Sequence, residues 1–302
     1  MIDIVIVNWN SGAYLKKCLQ SVFITSPQEI IQRVYIIDNH SADQSLDNLP
    51  ENGKLEVVKN TENAGFSRAC NQGFRLCSAP FVLLLNPDTL LLPSTLDDCL
   101  NFMNRHREMD ILGCQLLGDN GEIAKTCARF PTPLRMCYDA IGLSKIAPRI
   151  FTPATLMTDW NHTESRVVDQ VMGAFMFMRK SVFEKAGYFD ERFFVYYEEL
   201  DFSKRLAAGG GLSYFHAQIQ AVHSGEGTTN AVKGFRLFLN LRSRLQYAKK
   251  HFNITAYALV WFCTFFIEPV SRIFLLLFSG RAKQVRDVFK GYRLLYSSLP
   301  IR

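Results

Sequence analysis

The 302 residues carry 48% apolar side chains, with 34 Lys and Arg against 28 Asp and Glu for a formal net charge of +6. That is enough chain and apolar surface for one large domain or a domain with a smaller appendage, and it excludes a disordered, collagenous or repetitive protein. The basic excess suits an anionic substrate or an anionic membrane surface, whereas nucleic acid fits poorly, because zinc-finger spacing and a basic, aromatic RNA-binding module are both missing.

In chain order, IDIVIVNWN from Ile2 predicts a strand that ends in polar residues, and not a targeting segment. An amphipathic helix is expected from Ser11 to about Ser26, then strands at Val34 to Ile37, just before Asp38, and at Leu55 to Asn60. AGFSRACNQGFRLC suits a helix entered through Gly65, and PFVLLL supplies a fourth strand. Strands alternating with helical segments predict a Rossmann-like, mostly parallel α/β sheet covered by helices on both faces. Three of these strands end in the polar clusters Asn8 to Asn10, Asp38 to Asp43 and Asn86 to Thr89. Such sheets bind ligands at the carboxyl ends of their strands, and the lack of GxGxxG after the first strand argues against a dinucleotide.

Thr95 to His106 has a helical pattern, and GDNG is read as a turn joining short strands at Leu112 to Leu117 and Glu122 to Ala128. Residues 131 to 165, with Pro131, Pro133, Pro148 and Pro153, are expected to be an irregular, mobile connection over the site. After them come a strand, a helix near Lys180, a loop, and a helix starting near Glu198 or Glu199. Gly234 to Phe252 predicts a helix carrying Arg242 among its basic residues. The apolar run Ile254 to Ile267 has 14 residues, and Glu268, Pro269 and Arg272 interrupt it before Ile273 to Phe278. A bilayer crossing takes about 20. A broken hairpin or a pair of interfacial helices is therefore expected, with Arg281, Lys283, Arg286, Lys290 and Arg293 near lipid headgroups. A buried helix pair or a homo-oligomer contact is the alternative. The eight cysteines show no CxxC and read as reduced, buried thiols.

Two features carry chemistry. FDERFFVYYEELDFSKRL holds Glu198, Glu199 and Asp201; Glu198 and Asp201 share a helix face, and the surrounding aromatic residues would desolvate a candidate base and raise its pKa. Asp88 offers a hard oxygen ligand for Mg²⁺ or Mn²⁺. One carboxylate is too little alone, so a diphosphate, and His223 in VHSGEGTTN, would complete the set.

MIDIVIVNWNSGAYLKKCLQSV, VYIIDNHSADQS, NTENAGFSRACNQGF, LLLNPDTLLLP, VMGAFMFMRKSVFEKAGYFDERFFVYYEELDFSKRL and AVHSGEGTT together resemble the inverting family 2 glycosyltransferases of GT-A fold, over roughly residues 1 to 250. The rhamnosyltransferase-like branch that builds bacterial surface polysaccharides is the nearest match. The resemblance implies that Asp38 contacts the nucleotide base with Asn8 and Asn10 in the same pocket, and that Asn63, Gly65 and Asn71 line the nucleotide-sugar side. Asn86 and Asp88 stand where the family's metal-binding DxD has its first and last acids. Glu199 stands at the second acid of the family's catalytic Glu-Asp pair, which leaves Glu198 as the other candidate base, and His223 matches a loop histidine near the metal or diphosphate. Asp201 and Arg242 are kept as acceptor-side or supporting residues.

The expected organisation is a catalytic GT-A domain over 1–233 and a helical, basic and apolar extension over 234–302. The expected protein is a metal-dependent transferase on the inner face of a bacterial cytoplasmic membrane. It would move a sugar, L-rhamnose from dTDP-L-rhamnose as first choice, onto a polyprenyl-diphosphate-linked or polysaccharide acceptor. A UDP- or GDP-sugar enzyme and a non-catalytic nucleotide-sugar-binding protein are the alternatives.

Overall fold

The computed structural model describes residues 1–225 and 233–299. Glu226 to Asn230 of the expected VHSGEGTTN loop lie outside the described residues. The strands are β1 (Ile2–Asn8), β2 (Ile31–Asp38), β3 (Leu55–Lys59), β4 (Phe81–Leu85), β5 (Thr89–Leu91), β6 (Ile111–Leu117), β7 (Arg166–Val168), β8 (Phe175–Arg179) and β9 (Ser213–His223). The α-helices are α1 (Tyr14–Thr25), α2 (Phe66–Leu76), α3 (Thr95–Arg105), α4 (Pro133–Ile141), α5 (Leu143–Ile146) and α6 (Val182–Ala186), followed by α7 (Glu198–Ala208), α8 (Lys233–His251), α9 (Ile254–Phe262), α10 (Glu268–Phe278) and α11 (Val285–Ser297). Two compact units result. One comprises Met1–Ala128, Asn161–Glu191 and Glu198–Thr228; the other comprises Arg129–Trp160, Arg192–Tyr197 and Thr229–Arg302.

In the first unit, nine strands among the described residues form one sheet in the order β3-β2-β1-β4-β8-β6-β9-β5, with β7 also on β9. β3, β2, β1 and β4 run parallel, and beyond β4 the sheet becomes mixed. Every residue of β1 and β4 is buried, as continuous apolar runs in a sheet covered on both faces require. At the edge, β3 instead exposes Glu56 and Lys59, which blunts an open strand. α1 buries Leu15, Cys18, Leu19 and Val22, one face of a 3.6-residue period. α2 lies close enough to the sheet that a Cβ on Gly73 would meet Val5 Cγ1 at 2.4 Å. All eight cysteines are buried and free.

The expected strand at Glu122 to Ala128 does not form. Beyond the GDNG turn the pairing is limited to a bridge between Leu117 and Ile123, flanked by hydrogen bonds from Gly118 N to Glu122 O at 2.8 Å and from Ala124 N to Leu116 O at 2.9 Å. The backbone then leaves: Cys127 N donates to His162 Nε2 at 3.1 Å, and Ala128 pairs with Gln170.

Residues 131 to 165 are not irregular throughout, since the part in the second unit contains α4 and α5. Thr132 caps α4 by accepting from Arg135 N at 3.3 Å, Pro133 sits in the first turn, and Gly142 ends the helix at φ 88°. Proline there starts a helix, because its missing N–H is one that helix starts leave unpaired anyway. The expected hairpin or helix pair at 254–278 is likewise a single helical run: α9 passes through a π turn at Cys263–Ile267 directly into α10. Pro269 removes an N–H and crowds the carbonyl four residues back. That carbonyl, on Phe265, accepts from Tyr296 Oη at 2.8 Å, and the π turn gives the ring room.

Candidate active site

β1 and β2 end level with each other, Asn8 beside Asp38. Asn8 Nδ2 donates to Asp38 Oδ1 and Ser45 Oγ, both at 2.8 Å, and Ser41 N donates to Asp38 Oδ2 at 3.2 Å. The buried carboxylate is therefore held through both oxygens, one by the end of β1 and one by the loop after β2. Asn10, left-handed at φ 50°, donates its N–H to Ser41 Oγ at 3.0 Å and accepts Ala42 N at 2.7 Å through Oδ1, so the two loops are stitched together.

Asn39, one residue past β2 and missing from the sequence-derived set, joins this rim to the next loop. Its Nδ2 donates to Asn63 Oδ1 at 2.8 Å and its Oδ1 accepts Ala64 N at 3.0 Å, while Gly65 N also reaches Asn63 Oδ1 at 3.0 Å. Gly65 opens α2 at φ 88°, a conformation open to glycine at little cost. Asn71 of α2 reaches the segment after α6. Its Oδ1 accepts Phe189 N at 3.0 Å, and its Nδ2 donates to Phe189 O and Glu191 Oε1, both at 2.9 Å, so it fastens the segment after α6.

The polar break in FVLLLNPDTLLL is a β-turn. Thr89 N donates to Asn86 O at 3.1 Å with Pro87 in the second position, where its fixed φ belongs. The turn delivers Asp88 to the rim and sends β5 back against β9, opposing Thr89 to His223. This register brings His223 Nε2 to 3.3 Å from Asp88 Oδ1, with each side chain 10% exposed.

Glu199 lies in the first turn of α7, entered through Tyr196 and Tyr197 at φ 69° and 70°, a backbone conformation costly for aromatic residues. Its carboxyl accepts hydrogen bonds from the backbone N–H of Gly173 and its own, and it is hydrogen-bonded to Glu198. Burial pushes Glu199 above the ordinary glutamate range, the hydrogen bonds opposing it only in part. Two carboxyls in contact titrate as a unit and favour sharing one proton. The Cys70 thiol of α2 lies near both acids: burial drives it well above its usual range, and the charges of Glu198 and Glu199 push it the same way.

Residues 173–174 unite the site. Asn86 N and Thr89 Oγ1 donate to Ala174 O at 3.0 and 3.2 Å, while Gly173 N holds Glu199. The turn that carries Asp88, and Glu199 itself, are thus anchored to the adjacent residues Ala174 and Gly173 at the entrance to β8. A Cβ on Gly173 would fall 2.2 Å from Glu199 Oε1, so only glycine leaves space for the acid in this position. Asp201 is fully buried and accepts Arg205 Nε at 2.9 Å, while Arg205 Nη2 donates to Tyr188 O at 2.8 Å, a contact that supports the packing of α7. Arg242 is half-buried on α8 of the second unit.

Among the described residues, no group of three or more His, Cys, Asp or Glu could hold a metal ion. Asp88 and His223 give one oxygen and one nitrogen, a donor pair that fits a divalent cation taking its other ligands from a diphosphate and that does not fit an all-protein cage.

The profile described as Glycosyl transferase family 2 matches residues 3–187, more than half of the chain. The chain belongs to this family. The matched stretch holds Asn8, Asp38, Asp88 and Gly173 and stops short of Glu199 and His223, whose placement rests on the geometry above. The N-acetylglucosaminyl-diphospho-decaprenol L-rhamnosyltransferase of Mycobacterium tuberculosis is 23% identical over 238 residues, 74% of this chain and 76% of that protein. A mannosyltransferase of Pyrobaculum calidifontis, solved with GDP-Man and Mn²⁺, is similar in fold at a TM-score of 0.58 and 12% identity, over 99% of this chain and 87% of its own. The structure of GalNAc-T7 with UDP, GalNAc and Mn²⁺ gives a TM-score of 0.60 at 12% identity, over 99% of this transferase and 56% of that chain.

Proposed function

We propose that the chain is an inverting glycosyltransferase that uses a UDP- or GDP-sugar and a lipid-linked or glycan acceptor, with Glu199 as the base. The observation that carries the reading is the residue pair 173–174, which holds both Glu199 and the turn that carries Asp88. Asp38 accepts from a base N–H, a group that uracil, thymine and guanine all present. Asp88 and His223 would hold a divalent ion, which when bound supplies positive charge to a leaving diphosphate. Glu199 removes the proton from an acceptor hydroxyl, whose oxygen attacks the anomeric carbon on the face away from the diphosphate, inverting it. A diphosphate departs unprotonated, so Glu198 is not required as an acid, unlike the second carboxylate of a glycosidase. Glu198 instead supports Glu199 through their hydrogen bond.

A dTDP-L-rhamnose donor is the second reading, favoured by the rhamnosyltransferase relative. Thermal shift against UDP-, GDP- and dTDP-sugars, with and without Mn²⁺, separates the two. Glu199→Gln should abolish transfer and leave donor affinity within about twofold, since the residue acts on the acceptor's proton and does not hold the nucleotide. Normal transfer by this variant would refute the assignment. Donor binding by the wild type with neither transfer nor slow donor hydrolysis would indicate a binding protein.

A further inference from the structure

In the second unit, the run from Ile254 to Phe278 is long and apolar enough to cross a membrane by length and composition, yet only 28% of its most apolar stretch is buried. Leu259, Phe262, Phe266, Val270, Phe274 and Leu277 follow one another in steps of three and four residues, and each is between 48% and 66% exposed. Among the described residues they form one uncovered stripe along the helix, and Phe278, 85% exposed, ends it.

The other side of the same helix is fixed to the protein. Glu268 is buried and paired with Arg244 of α8 and with Arg272 one turn on, Ser271 Oγ donates to Ala140 O of α4, and Leu275 packs on Gly142. A helix with an ion cluster on one side and lipid-soluble side chains on the other lies along an interface and does not cross it.

We infer that this stripe seats the chain on an anionic phospholipid surface, half-immersed, with its cations at the headgroups. The charge pattern selects that occupant. Beyond the carboxyl end of the stripe, Arg281 and Lys283 are exposed, and α11 adds exposed Arg286, Lys290 and Arg293 around Phe289, itself 63% exposed. A second copy docked stripe to stripe would offer these cations no counter-charge, since the stripe holds only apolar side chains, whereas an anionic bilayer attracts every member of the cluster. The ends of α4 and α5 extend the pattern, with Ile141 and Ile146 exposed beside Lys145. The inference rests on the second unit alone and holds whatever the donor or the base.

Flotation of the full chain with vesicles tests it without any activity readout. Binding should be weak on phosphatidylcholine alone and strong on phosphatidylcholine with phosphatidylglycerol. Arg281→Glu with Lys283→Glu should weaken binding to the anionic vesicles by at least roughly fivefold per cation removed. Phe274→Ser with Phe278→Ser should abolish binding to both, with an unchanged melting temperature because both rings are exposed. Two results would overturn the proposal: wild-type protein left unbound by both vesicles, or a wild-type dimer in sedimentation velocity that the double phenylalanine change dissociates.

Discussion

Gly173 is the residue on which the catalytic reading is most sharply testable, because its missing side chain and its N–H serve the same acid. Replacing it with alanine places a methyl group where Glu199 Oε1 lies, and the flexible carboxylate has to swing away. A displacement of an ångström or so at a reacting group costs about a hundredfold in rate. The expected outcome for Gly173→Ala is therefore a kcat down by about that factor with donor Kd unchanged, read by initial rates and donor titration. The raised pKa of Glu199 makes a second measurement possible. A base must be unprotonated, so kcat/KM should climb with pH along a limb displaced above the ordinary glutamate range, the direction in which burial moves this group. A limb at the usual glutamate position would assign the proton transfer elsewhere. Asn8, Asp38 and Asp88 were legible in the sequence because each ends or follows an apolar strand. Gly173 and Asn39 were not, since a glycine's cost-free approach and an asparagine's hydrogen bonds to four other loop residues exist only once distant segments meet.

Among the elements, local pattern identified what local pattern controls. β1, β2, β3, β4, α1, α2 and α3 follow directly from apolar period, and α7 from its acidic first turn. β9 was not read from the sequence, and it supplies His223. Its eleven residues, SYFHAQIQAVH, alternate buried with partly exposed positions but mix His and Gln among them, and the strand is stabilised by three partners, β5, β6 and β7. The prolines mislead for a related reason. Pro133 reads as a breaker until Thr132 is seen to cap the helix it opens, and Pro269 reads as an end until the Phe265 carbonyl is seen to have another donor. If that donor compensates for the proline, Tyr296→Phe should cost about 1 kcal/mol, the net worth of one hydrogen bond, measurable by urea unfolding. Pairing it with Pro269→Ala should recover most of the loss, because an alanine N–H can then supply the helix bond. Simple additivity of the two changes would show that the hydroxyl and the proline are unrelated.

Across the whole molecule, two glutamates, Glu268 buried and Glu199 half-buried, have opposite relations to stability, although glutamine replaces either one isosterically. Burial pushes Glu268 upward, but Arg244 and Arg272 outweigh it and hold the carboxyl below its ordinary range, whereas burial prevails at Glu199 and holds that carboxyl above. A lowered carboxyl contributes stability that is present above its unfolded pKa, roughly 4.3, and is lost as pH falls through the folded value. A raised one contributes stability that is complete below the unfolded pKa and is lost as pH rises through the folded value. At neutral pH the ion cluster is therefore at full strength while Glu199 is a liability to the fold. Glu268→Gln should destabilise by about 3–5 kcal/mol at pH 7, because it leaves Arg244, itself 6% exposed, beside a neutral amide, and it should flatten the acid limb of stability against pH. Glu199→Gln should do the reverse and raise the thermal midpoint at pH 7, the increment vanishing toward pH 4. Thermal melts of both variants from pH 4 to 8 decide the matter. If both fall together, the hydrogen bonds to the Glu199 carboxylate outweigh the cost of its burial, and its charge stabilises the fold.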